Sequence, residues 1–259
     1  MTNPTNDGTL PVGAGILARG DGASIAYRRA AGTGPGVVFL HGFHSDMEGD
    51  KALALEAFCA ARGTAFLRFD LFGHGQSSGA VEDGCIGRWK DDALAVIDTL
   101  TAGPQVLVGS SLGGWIALLA ALERPRRVAG LVGIAAAPDF TEDLMWAGFD
   151  EAQRREMRET GRVMMENCYD PDDPWSIPRL LIDEGRNHLL LRDAINLDCP
   201  VRLIHGQNDA DVPWRTALRI AECLVGDDVE VTLVKDGEHR LSRPADLARM
   251  IRTVEALLG

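Results

Sequence analysis

The chain has 259 residues, of which 46% are hydrophobic and 25% charged, a composition typical of a globular protein with a full core. Its formal net charge of −12 argues against nucleic acid or an anionic membrane surface as a main partner. The five cysteines are scattered and form no C-x-x-C pair. They are therefore typical of reduced thiols rather than of disulfides or a metal site.

The N-terminal residues and the hydropathy pattern bear on the compartment. The first fifteen residues contain two prolines and an aspartate but neither lysine nor arginine, which is typical of neither a secretion signal nor a transit peptide. No apolar run approaches the ~20 residues needed to span a bilayer. We expect a disordered lead over residues 1–14 and a cytoplasmic protein with no stable membrane association.

Apolar strands alternate with helical segments along most of the chain. A hairpin is predicted over residues 16–30, around the turn Gly20-Asp21-Gly22. The further predicted strands are 37–40, 65–69, 105–109, 128–137, 201–204 and 229–234. The predicted helices between and after them are 51–62, 83–101, 214–225 and 244–258. This alternation predicts an α/β fold with a mostly parallel, doubly wound sheet covered by helices on both faces. Functional sites in such sheets lie beyond the carboxyl ends of the strands.

One segment, about 139–198, has helical character and no clear strand. We interpret it as a small helical cap inserted over the sheet, within a single domain that spans residues 1–259. Four of the six internal methionines fall between Met145 and Met165, and methionine suits a wall that accepts varied apolar groups. Met145 and Trp146 are therefore candidate substrate-binding residues, although ordinary packing of cap helices explains the same pattern.

The stretch Gly109-Ser110-Ser111-Leu112-Gly113 matches the pattern G-x-S-x-G. An apolar strand precedes it and a helix-forming run follows it, so its central serine is expected on a sharp strand-to-helix turn. Such a turn exposes the hydroxyl at the carboxyl end of the sheet, where a base can activate it. Ser111 is therefore the candidate nucleophile. The alternative is a glycine-rich turn that carries an ordinary surface serine.

A serine nucleophile needs a base that a carboxylate orients. Among the six histidines, His239 follows the last predicted strand and precedes the last helix, so we expect it to be the base; the alternative is a histidine that holds a loop. For the acid we favour Asp209, in the glycine-opened loop after strand 201–204. Asp211 is its competitor and would otherwise cap the next helix. The order Ser111, Asp209, His239 is the one expected for an α/β-hydrolase.

The oxyanion that develops during acyl transfer needs backbone donors. We expect one donor to be the N–H of Leu112, the residue after the nucleophile. The other is the N–H of Phe43, which follows His41-Gly42 at an earlier strand end. The Phe43 side chain would then form one wall of the acyl site, unless it serves loop packing alone.

The glycine-rich stretch 70–79 is interpreted as a structural turn, and no phosphate-binding, cofactor or metal pattern is present.

Several blocks of the sequence carry a family resemblance. They are Lys51-Ala52-Leu53-Ala54, Gly87-Arg88-Trp89, Gly109-Ser110-Ser111-Leu112-Gly113-Gly114-Trp115, Cys199-Pro200-Val201-Arg202-Leu203-Ile204-His205-Gly206 and Asp211-Val212-Pro213-Trp214. The chain resembles the α/β-hydrolase superfamily and, within it, the family of abhydrolase-domain protein ten, which comprises palmitoyl-protein thioesterases and acyl-glucuronide esterases. The resemblance implies an α/β-hydrolase fold with Ser111, Asp209 and His239 as the catalytic triad. The chain looks like a bacterial relative, and its polar His44-Ser45-Asp46 and its cap segment depart from the animal proteins.

These residues predict a serine hydrolase of carboxylic esters or thioesters with apolar acyl groups. It would act through an acyl-enzyme on a small-molecule or acylated-protein substrate, and no cofactor or metal is expected. Other chemistry on the same three residues, as in a lactonase, a carbon–carbon bond hydrolase or an aminopeptidase, is the first alternative. A non-catalytic binding module on the same scaffold is the second.

Overall fold

The computed structural model describes residues 10, 12–165 and 174–259. Most of the predicted disordered lead lies outside these residues, as does Cys168, whereas residues 13 and 14 belong to the first strand. The strands, numbered in chain order, are β1 (Gly13–Ala18), β2 (Ser24–Ala30), β3 (Thr33–Leu40), β4 (Thr64–Phe69), β5 (Gln105–Ser110), β6 (Val128–Ile134), β7 (Arg162–Met165), β8 (Trp175–Pro178), β9 (Val201–Gly206) and β10 (Val229–Val234). The α-helices are α1 (Asp50–Arg62), α2 (Ile86–Leu100), α3 (Leu112–Glu123), α4 (Glu151–Thr160), α5 (Arg179–Gly185), α6 (Arg215–Cys223) and α7 (Pro244–Leu258).

Eight strands form one sheet in the order β1-β2-β4-β3-β5-β6-β9-β10. The predicted hairpin is confirmed, because β1 pairs antiparallel with β2, which in turn pairs antiparallel with β4. From β4 to β10 all neighbouring strands are parallel. Parallel neighbours need long crossover connections, so the intervening helices come to lie over the faces of the sheet. The predicted mostly parallel sheet is therefore confirmed.

Helices cover both faces of this sheet. One face packs against α2 and α3, whose Trp89 and Trp115 are fully buried. The other face packs against α1 and α7, where Leu55 and Val254 are fully buried. The central strand β5 is buried along its whole length, as expected of a parallel strand covered on both sides. The doubly wound arrangement predicted from the sequence is confirmed.

The segment predicted as a helical cap contains a two-stranded sheet, so the expectation of no strand there is wrong. Strands β7 and β8 pair antiparallel, with the fully buried Val163 opposite the fully buried Ile177. Each strand has only four residues, too few for a period of two to stand out against the helical pattern around it. A π-helical turn at Thr141–Trp146 and α4 precede this pair, and α5 follows it.

A buried carboxylate joins the two ends of the cap segment. Asp139 is fully buried and follows β6, and it accepts hydrogen bonds from the N–H groups of Leu190 and Leu191 at 2.7 and 2.8 Å. Its partner Arg192 lies 3.2 Å away. These bonds fix where the chain leaves the sheet and returns to it.

Over the described ranges, none of the helices is both long enough and apolar enough to cross a bilayer.

Candidate active site

Ser111 lies on a sharp turn between β5 and α3. Its backbone angles are φ 53° and ψ −118°, a conformation that few non-glycine residues adopt. Neighbouring glycines make room for the turn, because a Cβ atom on Gly109 would overlap the backbone of Gly113. The serine side chain consequently stands at the carboxyl end of β5 and is partly exposed.

Gly113→Ala is expected to destabilise the protein strongly. The added methyl group would overlap the carbonyl oxygens of Leu40 and His41, and backbone atoms in a packed sheet cannot move aside as a flexible side chain can. The cost should therefore reach or exceed the upper end of the ~1–3 kcal/mol typical of overpacking. Gly148→Ala is the matched control, since a Cβ atom there meets nothing within 4 Å. Thermal unfolding checks this, and equal melting temperatures for the two variants would contradict the close crossing.

The imidazole of His239 bridges Ser111 and Asp209. Its Nε2 lies 3.1 Å from Oγ of Ser111, and its Nδ1 lies 2.8 Å from Oδ2 of Asp209. The three residues meet because β5, β9 and β10 end at the same edge of the sheet, and each strand delivers one of them. The carboxylate accepts a hydrogen bond from the N–H group at Nδ1, which leaves Nε2 without a proton and able to accept that of the hydroxyl. The arrangement can activate a serine.

The side chain of Asp209 is fully buried and accepts four hydrogen bonds. Its Oδ1 accepts the N–H groups of Asp211 and Val212, at 2.9 and 2.8 Å, and its Oδ2 accepts from His239 and from Nε2 of His205, the latter at 3.1 Å. Burial acts to raise the pKa of Asp209, but the bonds from His205 and His239 outweigh it and hold that pKa well below its ordinary value. The carboxylate therefore stays ionised. The contact with His205 carries no sequence signal beyond its position four residues earlier.

Asp211 lies close to this cluster but is exposed. The N-cap of α6 is Trp214, which makes no side-chain capping bond. Ligand atoms of Asp209, Asp211 and His239 lie within 4.8 Å of one another, so these residues could in principle hold a metal ion. Two of them already form the hydrogen-bond chain to Ser111, an arrangement suited to proton transfer.

The turn after β3 lies directly beside the serine. A Cβ atom on Gly42 would come within 3.3 Å of the Cβ atom of Ser111, so the chain immediately before Phe43 borders the serine. Leu112 is the first residue of α3, where N–H groups lack acceptors within the helix. Over the described part of the chain, neither N–H group donates a hydrogen bond to another protein atom. Both are therefore available to an oxyanion.

The buried His74 supports this turn. His44 has a left-handed φ of 51°, and its N–H donates to Nε2 of His74 at 3.3 Å. Burial and the neighbouring His41 lower the pKa of His74 to about 3. The ring of His74 is consequently neutral and can accept this bond, while its Nδ1 lies 3.0 Å from the carbonyl oxygen of Phe72. These contacts fit the structural role predicted for the stretch 70–79.

A cap residue that the sequence did not single out contacts the same turn. The indole of Trp175, on β8, stacks on the ring of His44 with centroids 4.7 Å apart and planes 6° apart. It also lies edge-on to Phe43, at a centroid distance of 6.0 Å. Phe43 in turn contacts Phe140 at 6.1 Å. A single tryptophan in a short strand has no periodic pattern from which this contact could be predicted.

Trp146 makes its ring contacts inside the cap. It packs edge-on against Phe149 and lies beside the guanidinium groups of Arg154 and Arg186. Among the described residues, no ring contact joins it to Phe43. Met145 is largely buried. The substrate-binding roles of Met145 and Trp146 therefore stay predictions.

The chain is similar to known proteins over most of its length. Residues 37–250 match the model of the alpha/beta hydrolase family. Over 243 residues the chain is 41% identical to the Mus musculus protein named palmitoyl-protein thioesterase ABHD10, mitochondrial. The match covers 94% of this chain and 82% of that protein. The Rattus norvegicus protein of the same name is 40% identical, with the same coverage.

Solved structures extend the similarity over nearly the whole chain. The mouse alpha/beta hydrolase domain-containing protein 10 has a TM-score of 0.88 at 39% identity, covering 95% of this chain and 98% of that chain. The crystal structure of a protein from Agrobacterium vitis S4 has a TM-score of 0.91 at 40% identity, covering 97% and 100%. The resemblance inferred from the sequence blocks is thereby confirmed. The chain belongs to the alpha/beta hydrolase family.

Proposed function

We propose that the protein is a serine hydrolase that cleaves carboxylic esters or thioesters of apolar acyl groups. The observation that carries this proposal is the hydrogen-bond chain from Asp209 through His239 to Ser111. It lies next to two backbone N–H groups, those of Phe43 and Leu112, that can receive an oxyanion. A base, its orienting acid and the oxyanion donors thus surround a single hydroxyl.

In the proposed reaction Oγ of Ser111 attacks the carbonyl carbon while Nε2 of His239 takes the hydroxyl proton. The ionised Asp209 stabilises the resulting imidazolium. The N–H groups of Phe43 and Leu112 stabilise the oxyanion, and each such donor is typically worth roughly 2.7–4 kcal/mol. His239 then gives its proton to the leaving alcohol or thiol. Water attacks the acyl-enzyme by the same route and releases the acid.

An apolar acyl group is the substrate we favour. The mouse and rat relatives are named palmitoyl-protein thioesterases, and the aromatic ring of Phe43, beside the serine turn, contacts the rings of both Phe140 and Trp175. The substrate would be a small molecule or an acylated protein, covered by the cap segment 139–198. Met145 and Trp146 remain candidates for the part of the acyl site built by the cap.

Acyl esters and thioesters of increasing length, from acetyl to palmitoyl, test this function. We expect hydrolysis of both bond types with an optimum at a long chain, and stoichiometric labelling of Ser111 by a fluorophosphonate. A panel with lactones, carbon–carbon bond substrates and peptide amides separates the alternative chemistries, because turnover of one of these alone would replace the proposal. A folded protein that neither labels nor hydrolyses any of them would favour a binding module.

We further propose a cytoplasmic location. Its support is the state of the cysteines, since Cys59, Cys85, Cys199 and Cys223 are free thiols, as expected in a reducing compartment. The names of the mammalian relatives assign those proteins to mitochondria. Fractionation of cells that express the full chain distinguishes the two locations.

A further inference from the structure

A lysine outside the hydrogen-bond chain reaches the loop that carries His239. This loop, residues 235–243 between β10 and α7, is called the His239 loop below. Lys51 lies in the first turn of α1, and its Nζ donates a hydrogen bond to the carbonyl oxygen of Arg240. Nζ also lies 3.5 Å from Oγ of Ser242. The contact with Arg240 joins positions 189 residues apart, so it ties a helix on one face of the sheet to the loop at its edge.

The His239 loop needs support on both sides of the histidine. On the sheet side it is fixed by close packing, because a Cβ atom on Gly206 would overlap the carbonyl oxygen of Gly237. Beyond the histidine, the buried Leu241 adopts a left-handed φ of 45°. A residue with a side chain keeps this conformation only where its surroundings enforce it. Lys51 contacts the residues on both sides of Leu241.

We propose that Lys51 is a positioning residue that holds His239 in line with Ser111. By fixing the turn at Leu241 it sets where the imidazole meets the hydroxyl, now 3.1 Å apart. The inference rests on the proposed hydrolase function, since positioning matters only if His239 accepts the proton of Ser111. A displacement of about 1 Å at such a contact can lower the rate by about 10²-fold.

The positive charge of Lys51 lowers the stability of the folded protein, so a residue that served stability alone would not carry it. Burial and the nearby Arg240 lower its pKa to about 8, although Asp50 beside it and Asp246 on α7 act in the opposite direction. Between this pKa and the ordinary lysine pKa of 10.5 the folded protein binds fewer protons than the unfolded chain. Stability therefore rises with pH in this window, and below it the partly buried ammonium weakens the fold. The hydrogen bond changes in the opposite sense, because the neutral amine is a weaker donor than the ammonium.

Three variants test the role of Lys51. Lys51→Met keeps the length of the side chain and removes the charge, whereas Lys51→Arg keeps a cation that does not titrate below about pH 12. Lys235→Met, at an exposed position of the same loop, is the control. For each variant we would measure kcat and KM with a p-nitrophenyl ester, the rate at which a fluorophosphonate labels Ser111, and the melting temperature.

We expect Lys51→Met to lower kcat and the labelling rate by about 10- to 100-fold, with KM nearly unchanged and no loss of melting temperature. Lys235→Met should behave as the wild type. Wild-type activity should decline as the pH rises through about 8, and this decline should be absent from Lys51→Arg.

Wild-type kcat and labelling rate in Lys51→Met would overturn the inference. An alkaline decline in activity that persists unchanged in Lys51→Arg would also overturn it. This second result is sufficient by itself if Lys51→Met does not fold. Failure of the wild-type protein to react with the fluorophosphonate would instead overturn the proposed function, so the two failures are distinguishable.

Discussion

Ser111→Ala should lower kcat for ester or thioester hydrolysis by a factor on the order of 10⁶. The hydroxyl is the atom that becomes acylated, and no neighbouring group can replace it without moving the imidazole, whose Nε2 lies 3.1 Å from Oγ. The oxyanion donors at Phe43 and Leu112 are backbone groups and remain in place. A small residual acceleration over water should therefore survive. Covalent labelling by a fluorophosphonate should be lost entirely.

Ser110→Ala is the matched control for this experiment. It also replaces a serine by alanine, but one residue earlier, at a buried position of β5. Alanine at position 111 carries the same backbone strain as serine, whose φ is 53°, so the melting temperature should stay near that of the wild type. Turnover in Ser111→Ala within tenfold of the wild type would exclude the proposed acyl-enzyme, as would labelling of a residue other than Ser111.

The elements of the sheet could be predicted because each carries a local pattern. The predicted strand 229–234 and helix 244–258 have the same bounds in the structure. Pro244 marks the first turn of that helix, where its missing N–H costs nothing. The cap strands β7 and β8 could not be predicted, because their pairing brings Val163 opposite Ile177 across an intervening stretch of chain. Four-residue strands acquire their conformation from such pairing rather than from their own sequence.

In the candidate site, too, some residues could be singled out from the sequence and others could not. Ser111 and His239 could, because each follows an apolar strand and parallel strands carry such residues to one edge of the sheet. The contacts of Lys51 and Trp175 depend on packing between distant segments, and no spacing in the sequence records them. The contact of His205 with Asp209 is local, four residues apart, but no motif marks it. Motifs therefore indicate which groups react, whereas the residues that hold them emerge only from the folded structure.

The choice between Asp209 and Asp211 depends on the shape of their loop. The N–H groups of Asp211 and Val212 both donate to Oδ1 of Asp209, at 2.9 and 2.8 Å. They turn the other carboxylate oxygen toward His239. Spacing from strand β9 differs by only two residues between the two candidates, so it cannot decide between them. An experiment on both carboxylates can.

Asp209→Asn should lower kcat/KM by a factor on the order of 10⁴ while the protein still folds. All four bonds to this carboxylate are accepted ones, two at Oδ1 from the backbone and two at Oδ2 from His205 and His239. An amide keeps only one acceptor oxygen. If that oxygen stays with the backbone donors, the NH₂ group faces His239 and favours the tautomer with its proton on Nε2. This tautomer cannot accept the proton of Ser111.

Asp211→Asn is the matched control and also the test of the competing assignment. Asp211 is exposed and lies within reach of the same cluster, so the same change of charge occurs two residues away, without disturbing the bonds to Oδ2. We expect its kcat/KM to stay within a few-fold of the wild type. Measurements of kcat/KM, of the fluorophosphonate labelling rate and of the melting temperature for both variants separate loss of the base from loss of the fold. If Asp211→Asn loses activity and Asp209→Asn retains it, Asp211 is the acid, and the buried carboxylate serves only to shape the loop.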